Sequence, residues 1–320
     1  MDLKKLRSFA VVSDYNSFSK AAVHLSVSQS LLSKQISDLE GELGVRLFYR
    51  NGRGALLTPE GEKLLFYARR LDSLVDETVS AVRGLKSNPS GTVVLGISAA
   101  IGATLTVPLI KRAKEKFPLV SLNVVEALSG YVHEWLNTGR IDLAVIFDET
   151  QNNALQHDDL VNEDLLLVSP ADSPATENIT IEGSALRDLP MCLPSRMHRL
   201  RKLIDSYTGE LGFHFTPVAE IDALVPIVQA VKAGLGHSIL PYGSVVHDAE
   251  VGRLRIARIV GPRLFRKIYL ATSMERFPTS ASRAMIDILR DEVKHLDKTG
   301  NWRPTDAALK ALRSKPLHKG

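Results

Sequence analysis

Hydrophobic positions in the first 58 residues recur at helical spacing in three short runs, each bounded by small polar residues. The runs rest on Leu3, Leu6, Phe9 and Ala10, on Phe18, Ala21, Ala22 and Leu25, and on Leu32, Ile36, Leu39 and Leu43. Ser17 and Ser28 stand just before the second and third runs, where serine is a favoured helix N-cap, and Gly44 follows the third. The pattern predicts three helices, of which the last two are joined by the short turn at 26–28.

A single long helical pattern follows at 59–86, without proline or glycine between Glu62 and Arg83. Thr58 and Pro59 open it as a cap and a first-turn proline. Its apolar seam has steps of three and four residues, at Ala68, Leu71, Val75, Thr78, Val82 and Leu85. Such a seam is typical of a short coiled coil, so this linker helix is predicted to join two protomers. The alternative is a helix that packs on its own domain.

From Thr92 onward the pattern changes to short apolar strands that alternate with helices. Strands are predicted at Thr92–Ser98, Leu122–Glu126, Leu143–Phe147, Leu165–Val168, Met191–Leu193 and Ile268–Thr272. This order predicts an α/β domain with a mostly parallel sheet.

The boundaries between these patterns predict four parts of the chain. They are a helical head at 1–58, the linker helix and a hinge at 59–90, an α/β domain at 91–298, and a basic, loosely docked tail at 299–320. The α/β domain is long enough for two lobes, which we place at about 91–164 with 267–298 (lobe I) and at about 165–266 (lobe II).

The composition is that of an ordinary globular protein. Of 320 residues, 44% are hydrophobic and 24% are charged, which excludes a disordered chain and a collagen-like fibre. The single cysteine, Cys192, excludes a disulfide framework and fits a reducing compartment. No apolar stretch has the length of a membrane span or of an N-terminal export signal, so a cytoplasmic protein without membrane contact is expected.

Positive charge gathers at the two ends of the chain. The net charge is +4, with +3 on residues 1–87, +4 on residues 299–320 and −3 on the residues between them. Basic ends around a slightly acidic centre favour a polyanionic partner, although a solvated surface of this charge is common.

The third predicted helix carries a polar face about 130° from its apolar one. Its members are glutamine, lysine and serine side chains that can bind base edges in the major groove: Gln29, Ser30, Ser33, Lys34 and Ser37. After the helix, the hairpin dipeptide Asn51-Gly52 places Arg50 and Arg53 near a tip that can reach phosphates or a minor groove. Together these features predict a winged helix-turn-helix that binds double-stranded DNA. The plain alternative is a small helical domain with an ordinary hairpin.

The motifs in this head resemble those of the LysR-type transcriptional regulators. They are Leu6-Arg7-Ser8-Phe9, Ser17-Phe18-Ser19-Lys20-Ala21-Ala22, Val27-Ser28-Gln29-Ser30, Leu39-Glu40, Leu43-Gly44, Leu47-Phe48 and Leu57-Thr58-Pro59-Glu60-Gly61. The resemblance implies an α+β multidomain fold with a winged helix-turn-helix, a long linker helix and a two-lobed effector domain like a periplasmic binding protein. It also implies dimers that often pair into tetramers, control by a small metabolite, and RNA polymerase as a partner.

The same resemblance implies which residues bind DNA. They are Gln29, Ser33 and Lys34 on the third helix, with Arg53 on the wing. The polar face, the helix start and the hairpin tip add Ser30, Ser28 and Arg50 to the predicted DNA contacts. Ser30 replaces a frequent proline and Lys34 a frequent arginine, and lysine offers a point charge where arginine offers a rigid fork.

Three loops of the α/β domain are candidates for binding the effector, since ligands of open α/β sheets bind beyond the strand ends. By resemblance, the cleft is lined by Ser98, Ser129, Phe147, Ser195, Arg196 and His198. We expect Arg196 to hold a small organic anion, a carboxylate, in a bidentate pair, with Ser98 or Ser129 on a second oxygen. The alternative is that Arg196 belongs to a solvated helix start. The pattern around Arg196 also resembles the branch of nitrogen assimilation control and tricarballylate regulators.

No motif for catalysis or cofactor binding is present in the sequence. It contains no Walker loop, no dinucleotide fingerprint, no histidine pair at metal-ligand spacing and no nucleophile elbow. We therefore expect no cofactor, no metal and no enzyme activity. A solute-binding protein would need an export signal and no DNA-reading head, and an enzyme would need a cluster of titratable groups with defined roles.

Overall fold

A computed structural model describes residues 2–49, 55–82, 89–126, 129–147, 155–274 and 278–314. The N-terminal part consists of helices α1 (Leu3–Tyr15), α2 (Phe18–His24), α3 (Gln29–Leu43) and α4 (Pro59–Val82). Ser17 and Ser28 cap α2 and α3 through their hydroxyls, and Gly44 ends α3 in the left-handed region at φ 69°. The predicted bounds of α3 are therefore those of the structure, because both ends are fixed by local caps.

The core of this domain forms where one face of α3 meets α1 and the start of α4. Leu32, Ile36 and Leu39 are buried there, together with Phe9 and Leu47. Leu43, which the helical spacing assigned to the same face, is 37% exposed and lies outside this core. The last turn of α3 extends beyond this core, so the buried apolar face ends at Leu39, one turn before the predicted end at Leu43.

Glu40 connects α3 to the hairpin that follows it through hydrogen bonds. Its Oε1 accepts the backbone N–H of Leu47 at 2.8 Å, and its Oε2 accepts Nη1 of Arg46 at 2.7 Å. Beyond this tie, Phe48 pairs with Leu57 as an antiparallel bridge that forms the base of the hairpin. Burial by itself would raise the pKa of Glu40, but these donors lower it below its ordinary value.

Part of the predicted apolar seam of α4 is buried against the N-terminal domain of the same protomer. Ala68 is only 2% exposed because it packs into the core of the head, so it is not part of an open dimer surface. Among the α4 side chains that the structure describes, the exposed apolar ones are Tyr67, Leu71, Leu74 and Val79, with Leu74 the most exposed at 55%. The side chain of Val82 and the whole of Leu85, both predicted for the seam, lie outside the described residues. The apolar surface described on α4 thus adds Tyr67, Leu74 and Val79 to the predicted seam residue Leu71.

The rest of the chain alternates strands with helices. The strands are β1 (Gly91–Ile97), β2 (Val120–Glu126), β3 (Leu143–Phe147), β4 (Leu155–Pro170), β5 (Thr180–Glu182), β6 (Cys192–Leu193), β7 (Ala219–Glu220), β8 (Ser238–Pro241), β9 (Leu254–Val260) and β10 (Phe265–Ser273). The helices are α5 (Ala99–Lys116), α6 (Ser129–Thr138), α7 (Arg199–Glu210), α8 (Leu224–Lys232), α9 (Val246–Glu250), α10 (Ser280–Lys298) and α11 (Asp306–Arg313). Within the described ranges, none of the helices is long and apolar enough to cross a bilayer.

One large sheet runs through both lobes in the order β2-β1-β3-β10-β4-β9-β5, with β8 also on β4. The prediction of a mostly parallel sheet is wrong. The pairs of β1 with β2 and β3 are parallel, whereas β10 and β4 pair antiparallel with their neighbours. The antiparallel centre arises because β4 and β10 carry the chain between the lobes in opposite directions.

Strand β4 changes partner in its middle. Its first half, to Asp164, pairs with β10, and its second half, from Leu165, pairs with β8 and β9. The first half lies with β1, β2, β3 and α10 in lobe I, and the second half lies in lobe II. The junction between the lobes is therefore a continuous strand.

The C-terminal segment is ordered where the sequence predicted a loosely docked tail. Trp302 is only 1% exposed, and Leu309 and Leu312 of α11 belong to the main core. The basic residues that suggested a solvated tail pair with partners far away in the sequence, as Arg313 does with the carbonyl of Thr176 at 3.0 Å. Residues 315–320 lie outside the described residues.

Replacing Glu40 with glutamine is expected to destabilise α3 by about 1–3 kcal/mol, because a charged acceptor of buried N–H groups is lost. The pKa of Glu40 is depressed in the folded protein, so its contribution is present above its ordinary value of 4.5 and is lost as the pH falls through the lower folded value. Amide hydrogen exchange of α3 in the full chain measures the loss of stability, which should shrink as the pH falls below 4.5. Exposed Glu62→Gln is the control. If both variants lost protection of the α3 amides equally, the hydrogen bonds of Glu40 would not be the cause of the loss.

Candidate functional site

The polar face of α3 is open to solvent. Gln29, Ser30, Ser33 and Lys34 are all exposed, while the opposite face fills the core. The Ser28 hydroxyl accepts the backbone N–H of Leu31 at 3.2 Å as the helix cap, which fixes the start of this face. A helix with a rigid apolar side and an exposed polar side has the form needed to enter a major groove.

Neighbouring side chains orient two members of this face. The Ser19 hydroxyl of α2 donates to Oε1 of Gln29 at 3.0 Å, and the hydroxyls of Ser28 and Ser30 lie 3.1 Å apart. Lys34 has no ion pair with any residue that the structure describes. Its charge is therefore available to an anionic or acceptor-rich partner. Arg50 and Arg53, the predicted wing contacts, lie outside the described residues.

The second candidate site lies where β1, β3 and β10 face lobe II. Ser98 follows β1 at the N-cap of α5, yet its hydroxyl makes no capping bond. That oxygen is buried and has no hydrogen-bond partner among the described residues. An unpaired buried hydroxyl has an energetic cost, so this oxygen is available to a polar ligand.

Arg266 is the residue of this site that the sequence reasoning missed. It is the second residue of β10, is 4% exposed, and places its guanidinium carbon 4.4 Å from the ring centre of the predicted residue Phe147. Its Nε donates to Glu163 at 2.5 Å, and the same carboxylate lies 2.5 Å from Nη2. Nη2 nevertheless lacks a hydrogen bond of good geometry in the described part of the chain. The sequence offers no local signal, because the partner Glu163 is far away along the chain.

Lobe II supplies His198 and Ser195 from the loop before α7. The Nδ1 of His198 accepts the N–H of Leu200 at 3.2 Å, so the neutral ring carries its proton on Nε2. Burial lowers the pKa of His198, the charge of Arg266 lowers it further, and Asp222 opposes both. The backbone N–H of Ser195 donates to Asp222 at 2.8 Å and lowers the pKa of that carboxyl.

The predicted cleft residues are thus only partly brought together. Phe147 touches Arg266, and Arg266 is near enough to His198 for its charge to act on that ring. Arg196, which we expected to hold the anion, is exposed on the loop before α7. Ser129 is the first residue of α6, and its side chain lies outside the described residues.

The lobes touch each other beside this site. Gly243 of lobe II lies so near Thr104 of α5 that a Cβ at position 243 would overlap the Thr104 hydroxyl. The hydroxyls of Thr104 and Ser244 are buried here, without a partner in the described ranges. The approach of the lobes depends on glycine at this position.

No group of three metal-binding side chains is found in the parts of the chain that the structure describes. The single cysteine, Cys192, is fully buried on β6, and this burial raises the pKa of its thiol. A reactive thiol needs exposure and a lowered pKa, so Cys192 has the properties of a structural residue.

Two family models match separate parts of the chain. Residues 3–62 match the helix-turn-helix domain described as a bacterial regulatory helix-turn-helix protein of the lysR family, and residues 86–294 match the LysR substrate binding domain. A probable RuBisCO transcriptional regulator of Guillardia theta is 29% identical over 286 residues, which cover 88% of this chain and 92% of that protein.

Solved structures show the same architecture. Full-length OxyR from Pseudomonas aeruginosa is 26% identical, covers 92% of this chain and 98% of its own, and superposes with a TM-score of 0.68. Full-length CbnR in complex with its target DNA is 21% identical, covers 92% of this chain and 100% of its own, and has a TM-score of 0.57, which shows the fold alone.

Proposed function

The chain belongs to the LysR family of bacterial transcriptional regulators, and we propose that a small carboxylate bound between its two lobes controls its activity. As a member of this family it is a DNA-binding regulator with an effector-binding domain, not an enzyme. The observation that carries the proposal is the Arg266 guanidinium, which is buried at the lobe junction with one nitrogen still lacking a well-directed acceptor.

The proposed carboxylate binds to groups from both lobes. Arg266 offers a charged donor, Ser98 at the start of α5 offers a hydroxyl, and His198 offers its Nε2–H. A guanidinium, a hydroxyl and an imidazole N–H are donors, and a carboxylate is the acceptor that complements them. Arg196 stands at the exposed rim, where it can contact a second anionic group of the same ligand.

The proposed DNA contacts come from the open face of α3. Gln29 and Lys34 are the side chains suited to base edges, and Ser28, Ser30 and Ser33 suit phosphates or either base. We also keep Arg50 and Arg53 as wing contacts. Two such heads, joined through the exposed side of α4, would read two half-sites of a partly symmetric operator.

The ligand can control transcription only if it binds two arrangements of the protein unequally. We propose that it favours the arrangement in which the lobes are closed, because its partners come from both. Closure would change the angle between paired protomers and hence the spacing of their heads on DNA. We also propose that the protein forms tetramers, contacts RNA polymerase and is located in the cytoplasm.

Lys34→Ala is expected to weaken sequence-selective binding by about 1–3 kcal/mol, because a donor to base acceptors is removed. Operator and random DNA are titrated at one salt concentration, and the ratio of the two affinities is compared with that of the wild type. Lys63→Ala, an exposed lysine on α4, is the control. An unchanged ratio in Lys34→Ala would contradict a base-reading role.

Arg266→Lys is expected to weaken carboxylate binding by about tenfold or more, because the second fork nitrogen is lost while the charge facing Glu163 remains. Thermal shift with a panel of small mono-, di- and tricarboxylates measures the affinity in the full chain. Arg263→Lys is the matched control, since Arg263 pairs with Asp164 at the junction but is half exposed. The proposal fails if no carboxylate shifts the melting of the wild type, or if both variants lose affinity equally.

Leu74→Glu is expected to weaken self-association by at least about tenfold, because it places a charge on the exposed apolar side of α4. Sedimentation across a concentration series gives the dimer constant. Val23→Glu introduces the same charge on an exposed valine of α2 and should leave that constant unchanged. A dimer of wild-type strength in Leu74→Glu would mean that α4 does not join the protomers.

A further inference from the structure

Residues 299–314, here called the C-terminal segment, lie beyond the part of the chain that matches the substrate-binding domain. The segment first folds back on the end of α10. The backbone N–H groups of Asn301 and Trp302 both donate to the carbonyl of Leu296, at 2.9 and 3.1 Å. Arg303 donates from Nε and Nη2 to the two oxygens of Asp297, at 2.5 and 2.6 Å. These bonds attach the segment to the last helix of lobe I.

The same segment is attached to lobe II through β9. Arg258 donates to the carbonyl of Pro304 at 2.6 Å and forms an ion pair with Asp306 at the start of α11. Arg255 donates to the last carbonyls of α11, those of Leu312 and Arg313, at 3.0 and 2.9 Å. Arginine against the carboxyl end of a helix is the favourable orientation for the helix dipole.

Between these two attachments, Trp302 covers the lobe junction. It is among the largest fully buried side chains of the protein, and it lies beside Glu163, the carboxylate that holds Arg266. Two buried polar atoms, Oε1 of Glu163 and Nε1 of Trp302, lack a hydrogen-bond partner among the described residues, and they are an acceptor and a donor. Asp164, the next residue of β4, lies 3.5 Å from the Nε of Arg258.

We propose that the C-terminal segment is a strap that holds the two lobes in one arrangement and positions Arg266 through Trp302 and Glu163. The strap is bonded to α10 on one side and to β9 on the other, so a rotation of one lobe against the other must strain one set of bonds. Trp302 and Glu163 are positioning residues, and the part of the proposal that concerns Arg266 as a ligand group rests on the proposed function.

The test needs no ligand, because burial and, to a smaller extent, the charge of Arg266 lower the pKa of His198 of lobe II. Trp302→Ala is compared with the wild type and with Trp302→Phe in the full chain. Val132→Ala is the control for a cavity elsewhere in the core, since Val132 of α6 is equally buried but packs in a separate cluster. The pKa of His198 is followed by NMR of ring-labelled histidine, assigned with His198→Gln. Hydrogen exchange of β4 is measured on the same samples.

If the strap positions Arg266, Trp302→Ala raises the pKa of His198 toward its ordinary value, and Trp302→Phe restores much of the wild-type behaviour. Exchange of the β4 amides around the Asp164 crossover becomes at least about tenfold faster. Val132→Ala leaves both readouts at their wild-type values. Truncation after Lys298 should act like Trp302→Ala, and if it does not fold, the point variants decide.

The proposal is overturned if Trp302→Ala leaves the His198 titration and the β4 exchange unchanged, or if Val132→Ala moves them as much. These outcomes do not depend on carboxylate binding. A strap effect without any response to carboxylates would refute the proposed effector while leaving the strap intact. A carboxylate response without a strap effect would do the reverse.

Discussion

The continuity of β4 through both lobes constrains everything else in the effector domain. A strand that pairs with β10 up to Asp164 and with β8 and β9 from Leu165 cannot be cut at the junction without losing ladder bonds on both sides. The lobes can therefore move only by twisting or bending this strand and its antiparallel partner. Glu163 and Arg266 lie at that point and form a buried ion pair.

The ion pair between Glu163 and Arg266 is buried at this junction. Burial of Glu163 raises its pKa, and the adjacent Arg266 opposes that rise, so each group is held in place by the cost of separating it from the other. One carboxylate does not satisfy all five donors of a guanidinium, so the anion proposed above would meet N–H groups that Glu163 leaves unused.

Much of the head could be predicted from the sequence because its signals are local. The bounds of α3 follow from a serine cap and a stop glycine, each within a few residues of the helix it limits. The first half of β4 gave no strand signal, since it is rich in polar residues such as Asp158, Glu163 and Asp164. Their arginine partners, among them Arg290 and Arg266, come from β10 and α10, about a hundred residues away. The burial of Trp302 was missed for the same reason, as its surroundings are formed by distant elements.

The contact between Gly243 and Thr104 leaves no room for a larger side chain where the two lobes meet. The clearance there is less than one methyl group, because even a Cβ would overlap the threonine hydroxyl. A residue larger than glycine at position 243 would allow each lobe to fold, but its side chain would push the two lobes apart. Such a change would alter the contact between the lobes without removing a contact inside either lobe.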